Sequence, residues 1–185
     1  TDLPETYTIP AGIEVASLRT ENTPAITFST DAPLVIGKPY LQYFLTAPTA
    51  EHTPQVLQER GANLWTRQPN GLGGGELAIF AERPEPGNCF YLVLNCPDAL
   101  DSNVLAITIQ GGAATPTGIN PDRPPRRWEA WDGESWQPVL LREADDATRG
   151  FSFYEIAQQG KNPTQGADTI VHLPEKFPVA SFTSY

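Results

Sequence analysis

Apolar and polar residues alternate in several short stretches of the chain. Residues 103–110 (NVLAITIQ) and 168–174 (DTIVHLP) both repeat with a period of two, which is typical of a half-buried antiparallel strand. The residues predicted to face inward are Leu105, Ile107, Ile109, Thr169, Val171 and Leu173. Each stretch therefore predicts a strand with one buried face.

Two further stretches are apolar over most of their length. Residues 40–47 (YLQYFLTA) and 89–96 (CFYLVLNC) are rich in the aromatic and aliphatic residues that strands favour. Because 89–96 is apolar on both faces, it predicts a central strand that is covered on each side. Cys89 and Cys96 would then lie about 23 Å apart on opposite faces, so an intact strand prevents a disulfide between them.

The first part of the chain has shorter alternating segments. Residues 7–18 (YTIPAGIEVASL) and 24–30 (PAITFST) predict strands around a Pro-Ala-Gly turn, and hence a small β arm over residues 1–36. The longer segments that follow predict a β-sandwich or jelly-roll-like domain over 37–185. A further strand is predicted at 151–157 (FSFYEIA). The chain as a whole is predicted to be all-β.

One stretch, 126–139 (RRWEAWDGESWQPV), holds three of the four tryptophans. It predicts a β-hairpin whose strands are joined at an Asp-Gly turn, where glycine adopts positive φ at little steric cost. The candidate site residues of this hairpin are Trp128, Trp131, Trp136, Asp132 and Gly133. These tryptophans either hold the hairpin by core and cross-strand packing or expose indoles on which a sugar ring stacks.

Composition narrows the classes of partner. The chain has a formal net charge of -10, which repels nucleic acid and anionic lipid. The sequence contains no apolar run long enough for a membrane-spanning helix and no pattern typical of a signal peptide. Its 19 prolines and 15 glycines favour short segments joined by turns. We therefore expect neither nucleic acid nor membrane as a partner.

Residue types that carry catalysis are sparse. The chain has two histidines, His52 and His172, and neither lies in a nucleophile or zinc-ligand motif. Oxygen-rich segments occur at 98–103 (DALDSN) and 143–148 (EADDAT), but neither has EF-hand spacing, and we interpret both as turns at strand ends rather than as calcium sites. We predict no catalytic, metal-binding or cofactor-binding residue and no cofactor.

Several of these segments carry a family resemblance. Residues 118–139 (GINPDRPPRRWEAWDGESWQPV), followed by 145–153 (DDATRGFSF) and 170–174 (IVHLP), resemble a segment of large baseplate assembly proteins of phage-like contractile injection systems. Residues 7–36 are similar to part of the baseplate J-like domain, and 89–109 resemble the strand pair between these segments. The matched motifs keep their order over most of the chain.

The resemblance implies a piece of a longer chain that works as a non-enzymatic structural module of a contractile-tail baseplate wedge. Its partners would be other baseplate subunits of a symmetric assembly, formed in the cytoplasm and retained within a phage-like particle. The alternative is a carbohydrate-binding β-sandwich module that uses tryptophan stacking, which predicts exposed, coplanar indoles among Trp65, Trp128, Trp131 and Trp136. A glycoside hydrolase fragment is a third possibility, although the sequence identifies no carboxylate pair for it.

Overall fold

A computed structural model of the chain describes residues 6–20, 24–60, 65–68, 71–74, 79–80, 85–96, 99–111, 120, 122–153 and 166–185, with the backbone alone for 65–68 and 71–74. Within this part of the chain there are antiparallel strands and one short 3₁₀ turn but no α-helix. The predicted all-β class is confirmed. Among the same residues, no helix has the length and apolar character needed to cross a bilayer.

Within the described residues, the strands are short and pair into six small sheets. In chain order they are β1 (Thr6–Ile9), β2 (Glu14–Ala16), β3 (Thr27–Ser29), β4 (Leu34–Gly37), β5 (Tyr40–Ala47), β6 (Gln58–Glu59), β7 (Trp65–Gln68), β8 (Gly71–Gly74), β9 (Cys89–Asn95), β10 (Val104–Ile109), β11 (Glu129–Trp131), β12 (Trp136–Pro138) and β13 (Ala167–His172). The 3₁₀ turn covers Glu143–Asp145.

The strands belong to two compact units, Thr1–Leu100 with Val179–Tyr185, and Asp101–Pro178. We call them the first and the second unit. The sequence-based boundary between an arm over 1–36 and a sandwich over 37–185 stays a prediction.

In the first unit, β5 lies between β6 and β9. Its last residues are buried, with Leu45 at the centre, and Phe44 packs against Phe90 of β9 at a ring-centroid distance of 5.6 Å. Among the described strands β9 pairs with β5, and its residues are half-buried throughout, so the central position of the 89–96 stretch, covered on each side, stays a prediction. Cys89 and Cys96 are free thiols.

The start of the chain forms one long two-stranded ribbon. β1 pairs with β4 and β2 pairs with β3, and the two strand pairs share the same antiparallel register. Between the two pairs, the Gly12 N–H donates to Thr30 O at 2.7 Å and the Thr30 N–H donates to Ile13 O at 3.0 Å. Gly12 has φ +79°, a left-handed conformation that glycine adopts at little steric cost, so the backbone between the two pairs departs from regular strand geometry. The Thr30 hydroxyl donates to Pro10 O at 2.9 Å and accepts the Ile13 N–H at 3.0 Å, which holds this irregular segment.

The second unit is built around β13. β13 pairs with β10 along its full length, while its other edge bonds to Val139 and to the segment after the 3₁₀ turn. Ala167, Thr169 and Val171 are buried and alternate with less buried residues. The predicted alternation of both strands is confirmed.

The strand predicted at 151–157 is wrong over its described part. Phe151 and Phe153 have φ of +64° and +50°, so 151–153 forms a turn, and residues 154–157 lie outside the described residues. Phe153 is buried, and its N–H donates to Thr148 O at 2.8 Å. Phe153 is therefore an apolar core residue that lies in a turn and not in a strand.

Candidate functional site: the tryptophan hairpin and its buried aspartate

The predicted hairpin is present as β11 and β12, in which Trp131 directly faces Trp136. Its turn is longer than the predicted Asp-Gly pair and comprises Asp132–Ser135, closed by the Asp132 N–H donating to Ser135 O at 3.0 Å. Gly133 has φ +104°, the left-handed conformation that a glycine adopts without a Cβ clash.

The Asp132 carboxylate organises this turn. Its Oδ1 accepts the N–H groups of Glu134 at 2.8 Å and Ser135 at 2.7 Å, and its Oδ2 accepts from Gln137 Nε2 at 2.8 Å. These bonds, first that from the Ser135 N–H and then that from the Glu134 N–H, hold the pKa of Asp132 below its usual value. An aspartate at the start of a turn therefore supplies acceptors that the tight backbone needs.

Trp131 and Trp136 pack across the hairpin. Their ring centroids are 5.4 Å apart with an interplanar angle of 60°, and both residues are half-buried. An angle of 60° is a tilted contact of the kind that aromatic pairs favour over a parallel sandwich. The two indoles do not form one flat platform. The side chain of Trp65 lies outside the described residues.

Trp128 packs elsewhere. Its ring lies 6.1 Å from that of Phe151, and its Nε1 donates to Asp146 Oδ2 at 3.4 Å. Because its carbonyl accepts the Val139 N–H at 3.1 Å, the ladder of the hairpin extends to this residue. Ala130, between Trp128 and Trp131, is buried.

Asp146 is fully buried, and its carboxylate accepts hydrogen bonds from three separate segments of the chain. Oδ1 accepts from the Thr148 hydroxyl at 2.5 Å, the Thr148 N–H at 3.0 Å and the Thr169 hydroxyl at 3.2 Å. Oδ2 accepts from Arg126 Nε at 2.7 Å and the Gly150 N–H at 3.2 Å, in addition to Trp128. We call this group, centred on Asp146, the aspartate cluster.

Two opposing effects act on the charge of Asp146. Burial by itself raises the pKa of this carboxyl, but the hydrogen bonds from Thr148 and Arg126 and the guanidinium charge outweigh burial, so the pKa lies below its ordinary value. Arg126 also donates from Nη1 to Glu143 Oε2 at 2.8 Å. Asp146 is therefore held as a carboxylate whose lone pairs are directed at protein donors.

The neighbouring acidic residue has its own partner. Asp145 accepts from Arg142 Nη2 at 2.9 Å and from the Arg142 N–H at 2.9 Å, closing the 3₁₀ turn. Burial acts to raise the pKa of Asp145, whereas the bonds from Arg142 lower it and prevail. In the part of the chain that the structure describes, no three His, Cys, Asp or Glu side chains come close enough to share a metal ion.

The aspartate cluster was missed by the sequence analysis, which interpreted 143–148 as a turn. One local signal was available: in Asp146-Ala147-Thr148 the aspartate accepts both the N–H and the hydroxyl of the threonine two residues later, a turn-forming pattern of aspartate. The donors Arg126 and Thr169 carry no such signal. The cluster anchors the start of the hairpin to β13, and its polar groups serve the fold.

Comparisons with known proteins found no matching family model, no matching curated protein and no matching solved structure.

Proposed function

We propose that this chain is a non-enzymatic structural module of a contractile-tail, phage-like baseplate wedge that acts through protein-protein contacts. The proposal starts from a resemblance to baseplate assembly proteins that keeps its order along the chain, over residues 7–36, 89–109, 118–139, 145–153 and 170–174. In this proposal, the exposed surfaces of the β-sheets bind neighbouring subunits.

One observation carries the proposal. The ribbon formed by β1 to β4 exposes large apolar residues, including Tyr7, Val15 and Phe28. Exposed apolar patches of this kind mark interaction sites on soluble proteins. A two-stranded ribbon is also only marginally stable in water without a covering layer, so a binding partner would stabilise it.

The second unit supports the same role in another way. The buried carboxylate of Asp146 is occupied by Arg126, Thr148 and Thr169, an arrangement suited to a rigid scaffold. A rigid scaffold presents its loops in fixed positions, which is what a symmetric assembly requires of each subunit.

The test is the composition of the assembled particle. Contractile particles are purified from the producing cells by sedimentation, and the chain is quantified by mass spectrometry against the tail-tube protein. We expect it at a fixed ratio to the tube protein in every preparation. Its absence from intact particles, or turnover of a glycan or ester by the purified chain, would overturn the proposal.

The second candidate function is carbohydrate binding, favoured by the half-buried Trp131 and Trp136 that share one face of the hairpin. A glycan-array screen of the 185-residue chain tests it, with Trp131→Ala as the paired variant. Binding that disappears in a variant with an unchanged circular dichroism spectrum would favour this function over assembly.

A further inference from the structure

The half of the ribbon built from β2 and β3 has one largely apolar face. Val15 directly faces Phe28, so these two side chains point to one side. Ile13 and Ile26 flank the two strands two positions away, and the same period places them on that side. Ser17 and Thr30 lie at the ends of this face, where their hydroxyls accept the N–H groups of Ile26 and Ile13. The four apolar residues are 42–62% exposed. We call these four residues, Ile13, Val15, Ile26 and Phe28, the distal apolar face.

The opposite side of this segment is different in chemistry. It carries Glu14, Ala16, Thr27 and Ser29, which are exposed as well. Polar and small residues are commonly exposed to solvent. Four large apolar side chains next to one another on a surface instead indicate an interaction site. The ribbon is therefore amphipathic, with a face for solvent and a face for a partner.

Hydrogen bonds within the chain already pair the strands of the ribbon. Gly12 and Ile13 bond to the Thr30 backbone and hydroxyl, and the Ser17 hydroxyl accepts the Ile26 N–H at 2.9 Å. Less conformational entropy is then lost on binding, because the strands are already paired.

A second copy of this chain is a poor occupant of the distal apolar face. Four such side chains present on the order of a few hundred Å², below the roughly 800 Å² that each partner contributes to a stable interface of standard size, so any partner must add contacts around this face. Each copy carries a net charge of -10, so the added contacts between two copies are opposed by repulsion. A cationic partner is attracted by the same charge.

We propose that the distal apolar face docks into an apolar groove bordered by Lys and Arg side chains on a different protein. The groove supplies the covering layer, and the basic border matches the acidic chain. The inference rests on the proposed function in that the groove is sought among the other proteins of the particle.

The experiment is site-specific photo-cross-linking with the full 185-residue chain in the cells that assemble the particle. Phe28 is replaced by p-benzoylphenylalanine in one variant, and Ser29, on the opposite face, is replaced in the control. We expect position 28 to cross-link to one peptide of a single different protein, an apolar peptide with flanking Lys or Arg, and position 29 to leave that peptide unlabelled. Cross-links between copies of this chain, labelling spread over many proteins, or equal labelling from both positions would overturn the proposal.

The affinity of the identified protein for the purified chain gives the second measurement. The double variant Val15→Thr/Phe28→Thr keeps β-forming residues and should bind on the order of ten- to a hundredfold more weakly, because burial of each large side chain contributes to affinity. Thr27→Ser/Ser29→Ala on the other face should bind like the parent chain. The affinity should fall several-fold between low and high salt. An affinity that does not change with salt would contradict the presence of Lys and Arg side chains at the edge of the groove.

The variants are checked for an intact ribbon by the amide NMR signals of Gly12 and Thr30. The outcomes for the two proposals are separable. A chain that is absent from particles but still cross-links through position 28 to one basic-bordered apolar peptide contradicts the baseplate function alone. A chain that is present in particles without that cross-link contradicts the docking proposal alone.

Discussion

Arg126 donates from Nε to Asp146 Oδ2 at 2.7 Å, and this ion pair joins the segment that enters the tryptophan hairpin to the turn that precedes β13. The Arg126 side chain is mostly buried and Asp146 is completely buried. Arg126 Nη2 is buried too, and within the described part of the chain it makes no hydrogen bond. The pair therefore stabilises the second unit only while both charges are present.

The first prediction concerns removal of the buried carboxylate. Asp146→Ala leaves the Arg126 charge and several donors buried without their acceptor, so the free energy of unfolding should fall by about 3 to 5 kcal/mol. The matched control is Glu143→Ala, which removes the other partner of Arg126 but an exposed one, and it should cost less than about 1 kcal/mol. Urea unfolding followed by tryptophan fluorescence measures both. Equal losses would show that burial of the pair does not matter.

The second prediction concerns pH. Because the pKa of Asp146 in the folded chain is lowered, its contribution to stability is complete above the ordinary aspartate pKa of about 3.9 and is lost as the pH falls through the folded-state value. The asparagine of Asp146→Asn does not titrate in this pH range, so this variant lacks the pH-dependent contribution to stability. The difference in urea midpoint between the parent chain and Asp146→Asn should therefore be larger at pH 7 than at pH 3. A difference that stays constant over this range contradicts the assignment.

Local patterning predicted much of the second unit. The period of two in 103–110 and 168–174 predicted β10 and β13, because a strand with one buried face alternates inward-facing and outward-facing residues along the sequence. The tryptophan hairpin was predicted for the same reason, although its turn contains Asp132–Ser135 instead of Asp-Gly alone. Turn length depends on side-chain bonds such as those of Asp132, which patterning does not encode.

The aspartate cluster shows what patterning cannot predict. Its donors, Arg126, Thr148 and Thr169, meet Asp146 only after the hairpin, the turn and β13 have packed together. Phe151 and Phe153 were predicted to lie in a strand because the pattern of apolar residues does not show how the turn shapes the backbone. Both have positive φ, a conformation imposed by the turn and absent from any hydrophobic pattern.

The third prediction concerns a close backbone approach in the aspartate cluster. Gly150 has φ +65°, and a Cβ there would lie 2.5 Å from Pro124 Cβ. Gly150→Ala should therefore destabilise the chain by more than the roughly 1 kcal/mol expected for backbone strain alone. Gly87→Ala is the matched control, since Gly87 has φ +95° and open space around it. Thermal unfolding of both variants is the measurement, and an equal cost would contradict the steric argument.

The last prediction separates packing from ligand stacking at the hairpin. If Trp131 and Trp136 hold the hairpin through their 5.4 Å contact, a double-mutant cycle with alanine at both positions should give a coupling energy of about 0.5 to 1.5 kcal/mol. The control cycle pairs Trp136 with Trp128, whose ring contacts Phe151 instead, and its coupling should lie within about 0.5 kcal/mol of zero. Coupling would mean that each indole already has an aromatic neighbour that a sugar must displace or share. Absence of coupling in the Trp131 and Trp136 cycle would contradict a role of their mutual contact in holding the hairpin.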